Sequence, residues 1–325
     1  MSQKICIISF DHWNYDKHIV LKLQEKGIEA FHIKIGAFKH KNILERVFNT
    51  LSKIFLRKNP KIKKRQDYIL NTLKEKGFQN QILVINPEVI HLEYHLAIKK
   101  YTSKYIAYLY DSVQRCPIEH LINGIFDEIY SFDTEDVKKY NFKKITNYIY
   151  WQQQPIIPDF KPKNQVLYIA SFDKRLHKVQ LLKNSFNELG ISYLFLIIGK
   201  KTTLFKLQNM FSNKFENLQL RRNRINEQEL QQLYSETQIV LDIVRENQTG
   251  LSFRIFEAMA YQKKIITNNK YIREHHFYNS NNILLIDEDS YVFDFNFFNT
   301  NYEPLSQEIY NQYTLDTWVK TVFGV

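Results

Sequence analysis

The chain has 325 residues, 44% of them hydrophobic, and a formal net charge of +11. That length and apolar content allow two domains with separate cores and exclude a disordered or fibrous chain, and no stretch approaches the ~20 uncharged apolar residues of a membrane-spanning helix. The positive excess favours anionic partners, whether nucleic acid, acidic lipid or phosphorylated substrates, without choosing among them.

Residues 4–10 form an apolar run too short for a secretory leader and without a small-residue cleavage site, so they read as a first strand. Cys6 and Cys116 are far apart and form no ligand motif, which fits a reduced, cytoplasmic setting. A helical pattern over 14–26 follows, then strand candidates at 29–35, 81–86, 105–110, 128–132 and 145–151, with helical segments such as 93–101 and 134–140 between them. Strands alternating with helices predict a parallel sheet covered on both faces. Within this half, residues 38–65 read as an amphipathic helix with Ile43, Leu44, Val47, Phe48, Leu51, Ile54 and Phe55 on one face and lysines and arginines crowding its end. Two readings stay open: that face packs on the sheet, or the basic end meets an anionic membrane surface.

Residues 151–164 hold Pro155, Pro158 and Pro162, and read as an extended joint because proline lacks the backbone donor and fixes φ. The domains expected are 1–155 and 156–325, with the last helix able to pack back on the first domain. Alternation restarts after the joint: strands at 165–171, 193–199, 218–220, 239–244, 264–269 and 283–287, helices at 174–189, 227–237 and 252–261, and a helical tail from Pro304. The fold class expected is α/β, with two Rossmann-like, doubly wound parallel-sheet domains facing a cleft and ligands at the carboxyl ends of strands.

No G-x-G-x-x-G follows the first strand of either half, and the chain has no phosphate loop, no G-x-S-x-G elbow and no H-E-x-x-H. The adjacent His275 and His276 point apart on any helix, and Asp287-Glu288-Asp289 reads as a solvated turn, so no metal site is expected.

The informative stretch is 248–269, QTGLSFRIFEAMAYQKKIITNN. Ser252 stands where a helix cap would, and Phe253, Phe256, Met259 and Ala260 form the buried stripe. Arg254 in the first turn opposes the helix dipole, and Glu257 borders the apolar stripe. One reading is a local ion pair between the two. The other is an anion site. The helix amino end and Gly250, which permits close approach, would take a diphosphate with Arg254, and Glu257 would accept hydrogen bonds from ribose hydroxyls. Arg245 follows the preceding strand. A second cationic group, Lys174 and Arg175, follows the first strand of the second half.

The run Gly-Leu-Ser-x-Arg-x-Phe-Glu-Ala-Met-Ala followed by Lys-Lys-Ile-Ile-Thr-Asn resembles the nucleotide-sugar-binding segment of GT-B glycosyltransferases, above all bacterial enzymes of lipopolysaccharide and capsule assembly. Residues 110–113, YDSV, and 126–142 are also similar to that group. The resemblance implies a nucleotide-sugar donor held by the second domain through Thr249, Gly250, Leu251, Ser252, Arg254 and Glu257, with Lys174, Arg175 and Arg245 nearby. It also implies a surface-glycan or lipid-linked acceptor held mainly by the first domain, with Asp16 and Asp111 among the substrate-binding candidates. Neither cofactor nor metal is implied. Many retaining members carry a glutamate eight residues before the one matched by Glu257, and here that position is Thr249. For the base that takes the acceptor proton, Asp11 is the first candidate and His12 the second, because both follow the first strand directly. The setting implied is cytoplasmic, peripheral on the inner membrane face if the basic helix binds lipid. A nucleotide-sugar 2-epimerase on the same fold is the alternative activity. A basic nucleic-acid-binding protein is the remaining reading, but no nucleic-acid module is present and no such partner is expected.

Overall fold

The computed structural model describes residues 3–11, 13–37, 60–202, 218–287 and 293–325. It resolves into two compact units, Met1–Thr146 with Leu315–Val325, and Asn147–Thr314.

The first unit runs β1 (Lys4–Ser9), α1 (Asp16–Glu25), β2 (Glu29–Lys34), α2 (Pro60–Lys76), β3 (Gln79–Ile85), α3 (Leu92–Lys99), β4 (Thr102–Leu109), β5 (Glu128–Ser131), α4 (Thr134–Tyr140) and β6 (Lys143–Lys144). The strands pair in the order β2-β1-β3-β4-β5-β6, all parallel. Ile5, Cys6, Ile7 and Ile8 are all fully buried. An unbroken apolar run of this kind marks a strand covered on both faces. On one face Cys6, Ile8, Ile82, Val84 and Tyr105 pack with Ile69, Leu73 and Ile98 from α2 and α3. β2 lies on one side of β1 and β3 on the other, so the chain changes direction between β1 and β3. Ligands of doubly wound sheets gather outside the carboxyl ends at such a point.

The second unit runs β7 (Asn164–Ser171), α5 (Leu176–Glu188), β8 (Tyr193–Ile198), β9 (Leu218–Arg221), α6 (Glu227–Ser235), β10 (Thr237–Asp242), α7 (Phe253–Ala260), β11 (Lys264–Thr267), β12 (Ile283–Leu285), α8 (Asn296–Asn299) and α9 (Gln307–Gln312). Its strands pair in the order β12-β11-β10-β7-β8-β9, again all parallel, so the change of direction falls between β7 and β10. The α/β class with two Rossmann-like parallel sheets is therefore present. A last helix, α10 (Leu315–Phe323), belongs to the first unit. Its Trp318 meets Tyr108 edge-on at 5.2 Å, and Phe323 O accepts from Gln81 Nε2 at 2.8 Å.

Two expectations change. Residues 145–151 are not a strand: pairing ends at Lys144, and beyond it Ile149 makes only an isolated bridge to Thr314. The apolar pattern there has another cause. Tyr148 and Trp151 are buried, and Tyr148 packs edge-on against Phe253 of α7 at 5.1 Å. Of the amphipathic segment 38–65, residues 38–59 lie outside the described residues, and Pro60 to Arg65 open α2, which continues to Lys76. Among the described residues, no helix is long and apolar enough to cross a membrane.

Candidate functional site

In the second unit the site is built at the carboxyl ends of β7 and β10. Asp242 ends β10 and is wholly buried. Its Oδ1 accepts from Arg254 Nε at 2.8 Å and Ser252 Oγ at 2.8 Å, and Arg254 Nη2 lies 2.6 Å away. Arg254 Nη1 donates to Ile169 O of β7 at 3.2 Å, so one guanidinium bridges both strands at the point where the chain reverses direction. Burial works against the Arg254 charge, but the Asp242 carboxylate overrides it and holds the pKa above the ordinary arginine value. Ser252 does occupy the N-cap position of α7, yet its hydroxyl makes no capping bond. The buried carboxylate takes that hydroxyl instead, so Ser252 does not cap α7.

The loop before α7 is held by its carbonyls. Asn269 Nδ2 donates to Thr249 O at 3.2 Å and Gly250 O at 3.3 Å, and Asn147 Nδ2 donates to Leu251 O at 2.8 Å. Thr249, Gly250 and Leu251 are all buried. Glu257, one turn into α7, is 3% exposed. Its Oε1 accepts from the Tyr150 hydroxyl at 2.5 Å and its Oε2 from the Tyr234 hydroxyl at 2.5 Å. Neither tyrosine is legible as a partner in the sequence, since 107 and 23 residues separate them from Glu257.

Arg175 is buried and forks onto Asp173, with Nε to Oδ1 at 2.9 Å and Nη2 to Oδ2 at 2.7 Å, while Nη1 reaches Ile243 O at 2.8 Å. Arg245 Nε stands 3.4 Å from the same carboxylate. Burial alone would raise the Asp173 carboxyl, but the two arginines bring it below the ordinary value. Lys174 is exposed on the turn. The two ion pairs, Arg175–Asp173 and Arg254–Asp242, flank the hydroxyl of Tyr168 in β7, which is buried and has no hydrogen-bond partner. Arg175, Arg245 and Arg254 thus gather with Asp173 and Asp242 at this edge of the sheet. Among the described residues, no three His, Cys, Asp or Glu side chains come together as a metal site.

In the first unit, Asp11 adopts a left-handed backbone, φ 44°, where the chain leaves β1. Its Oδ1 accepts the Asp16 N–H at 3.0 Å, tying down the first turn of α1, and its Oδ2 accepts from Lys34 Nζ at 3.2 Å. Asp16 is buried beside it, and its Oδ2 has no hydrogen-bond partner among the described residues. Burial first, and the neighbouring Asp11 second, push the Asp16 carboxyl up to about 7. Glu88, after β3, also carries an unpartnered buried oxygen and a raised carboxyl, again mainly through burial. Tyr110 donates to Asn86 Oδ1 at 3.2 Å, and its own ionisation is opposed first by burial and then by Asp16, Glu88 and Asp11. The carboxyl ends of β1, β3 and β4 thus carry one acidic cluster, of which Glu88 and its neighbour Asn86 have no motif to announce them, while Tyr110 opens the YDSV stretch. Asp111 sits nearby, paired with Arg115 Nε at 3.2 Å. His12 lies outside the described residues.

Solved structures with the same arrangement span nearly the whole chain. A lipopolysaccharide outer core galactosyltransferase, WaaB in its apo form, aligns with TM-score 0.55 and 13% identity over 99% of both chains. A UDP-forming trehalose-phosphate synthase from Burkholderia xenovorans aligns with TM-score 0.56 and 12% identity over 100% of this chain and 98% of that one. The chain has the GT-B fold. An α-glucosyltransferase in complex with UDP-glucose and DNA containing an abasic site shares it, with TM-score 0.51 and 13% identity over 100% of this chain and 95% of that one. No family model and no curated sequence matches the chain.

Proposed function

We propose that the chain is a glycosyltransferase that moves a sugar from a nucleotide-sugar donor to a hydroxyl of a surface-glycan acceptor, lipopolysaccharide, capsular or lipid-linked. The observation that carries this reading is the amino end of α7 at the β7/β10 reversal, where Ser252 makes no capping bond, with Arg254 fixed beside it and Glu257 one turn deeper. In this reading residues 156–325 hold the donor and residues 1–155 the acceptor. The diphosphate lies against the first-turn N–H groups and Arg254, with Arg245, Lys174 and the Arg175–Asp173 pair adding to the positive field. The ribose hydroxyls donate to Glu257, displacing a tyrosine hydroxyl. The likeness to a lipopolysaccharide galactosyltransferase supports the acceptor class.

Transfer breaks the bond between the anomeric carbon and the diphosphate oxygen. Negative charge accumulates on the departing diphosphate, where these fixed dipoles and cations await it. The acceptor hydroxyl bonds to the anomeric carbon and gives its proton to a group at the end of β1. Asp11, with His12 second, is the base in this reading, and Asp16 supports it from beneath.

Thermal denaturation with UDP, GDP, CMP and dTDP tests the proposal. A nucleotide at a hundred times its dissociation constant stabilises the fold by about 2.7 kcal/mol. One nucleotide should raise the midpoint, and Arg254→Lys and Glu257→Gln should each shrink the shift. If none of the four moves the midpoint, the reading fails. Asp11→Asn should keep the nucleotide shift and lose transfer; full transfer in that variant removes Asp11 as base.

A further inference from the structure

The second unit contains a cavity of about 520 Å³ that the nucleotide-sugar reading does not use. Its walls include Ile156, Ile157 and Phe160 of the proline-rich segment, with Tyr261, Lys263 and Tyr302. Small-molecule sites commonly have this volume, and here apolar and aromatic walls alternate with polar ones such as Gln154, Ser235 and Asn301. Gln238 and Lys264, which also line it, stand at the amino-terminal ends of β10 and β11. Asp242 and Thr267 close those strands at the other end, so the cavity and the Arg254 site lie at opposite edges of the sheet.

The cavity is a built structure. At the end of α7, Gln262 N–H bonds to Met259 O at 3.1 Å and Lys263 N–H to Ala258 O at 2.9 Å. This is the paired turn that closes helices, with Gln262 in the left-handed position, φ 52°, usually given to glycine. Gln154 at the start of the proline-rich segment is pinned to the same turn. Its N–H donates to Ala260 O at 2.8 Å, and its carbonyl accepts from Gln262 Nε2 at 2.6 Å. Lys263 is thereby fixed at the wall, with Nζ 4.2 Å from the centroid of the Phe160 ring.

Lys263 differs from its neighbour. Lys264 spends its protons on Phe297 O at 2.6 Å and on Thr300. Among the described residues, Lys263 has no carboxylate within ion-pair distance, although Asp159 lines the same cavity. Burial pushes the Lys263 ammonium down to about 8, so a neutral-pH protein keeps a mostly charged amine on the Phe160 ring, with no ion-pair partner among the described residues. Those walls are also unsatisfied: Ile156 is 46% and Ile157 57% exposed.

We propose that this cavity binds a small amphiphile with one anionic head, carboxylate or phosphate, on an apolar body, and that Lys263 is its counter-ion. The head completes the ion pair that Lys263 lacks, and the body covers Ile156, Ile157 and the two tyrosines. The site is independent of the nucleotide reading and survives or fails without it.

Calorimetric titration of the full chain with decanoate, decyl phosphate, decanol and decylamine tests this. At least one of the two anions should bind saturably, the tighter naming the head group, and decylamine should not bind. Lys263→Met should weaken the anion about tenfold while leaving decanol unchanged, and Lys263→Arg should restore the anion. Ile157→Ser, at an exposed position that does not threaten folding, should weaken both anion and decanol. Absence of binding by both anions, equal binding of decylamine, or an unchanged anion affinity in folded Lys263→Met would overturn the proposal.

Discussion

Arg254 Nη2 lies 2.6 Å from Asp242 Oδ1, and that aspartate is wholly buried at the end of β10. The first-turn cation of α7 is therefore set by a carboxylate twelve residues upstream, not by the helix it belongs to. Removing one member of a buried pair leaves the other charge uncompensated, which typically costs 3–5 kcal/mol. Here Ser252 still donates to the Asp242 carboxylate, so Arg254→Met should cost about 3 kcal/mol. Adding Asp242→Asn to that variant should recover at least about 1 kcal/mol, because the stranded charge disappears with it. Urea denaturation of both variants checks this. A double variant weaker than the single would show that the pair does not act as a unit.

The two tyrosine hydroxyls on Glu257 occupy the oxygens assigned to ribose. A hydrogen bond to a charged group contributes about 1.5–3 kcal/mol, so Tyr234→Phe should lower stability by about 2 kcal/mol. Tyr150→Phe removes the tyrosine donor from Oε1 at a half-buried position. A ribose hydroxyl then no longer competes with the Tyr150 hydroxyl for that oxygen, and the nucleotide-induced rise in melting temperature should exceed that of the unmodified chain. A smaller rise in Tyr150→Phe would count against Glu257 as the ribose ligand.

Gly36 stands against the carbonyl that precedes Asp11. A Cβ there would come 2.5 Å from Phe10 O, and that backbone has little room to retreat because it continues the fully buried strand β1. Gly36→Ala should lower stability by about 1–3 kcal/mol, as overpacking does. It should also disturb Asp11, whose left-handed φ of 44° begins at the displaced carbonyl. Transfer rate should fall by more than donor binding does. Equal loss of both would separate Gly36 from the acceptor side.

How much of this was legible depends on range. The run from Ile5 to Ile8 can be read as a buried strand because no polar residue interrupts it, and α7 because its stripe repeats at helical spacing. β6 could not be read: it is two lysines long, and the apolar residues beyond it are buried within the second unit. The continuation of α2 to Lys76 is sparse in apolar residues, with Ile69 and Leu73 buried among lysines. At the site, Arg254 and Glu257 stand out because a cation and a carboxylate break an apolar pattern. Their partners Asp242, Tyr150 and Tyr234 do not, because contacts made by folding leave no spacing rule in the chain. Arg175 shows the converse: a cation that the sequence marks as a ligand candidate is, in the fold, the fork that holds Asp173.

Asp16 makes stability depend on pH in an unusual direction. Its carboxyl ionises near 7 in the folded chain, raised from 3.8 first by burial and then by Asp11. Between about pH 4 and 7 the folded state keeps a proton that the unfolded state releases, so this group lowers stability as pH rises and its full penalty applies above 7. His32 works the other way. Burial, opposed by Asp11 and aided by Lys34, brings it from 6.5 down to about 4, so its penalty develops as pH falls through that window. The two oppose each other between about pH 4 and 6.5, and at pH 8 only the Asp16 penalty remains. Asp16→Asn removes it. The variant should exceed the unmodified chain in stability at pH 8 by about 3 kcal/mol, and the gap should close near pH 4. Urea denaturation at the two pH values measures both differences. If transfer activity falls in the variant while stability at pH 8 rises, the strained carboxyl is kept for the reaction and not for the fold. If stability at pH 8 is unchanged, Asp16 is not held against its charge.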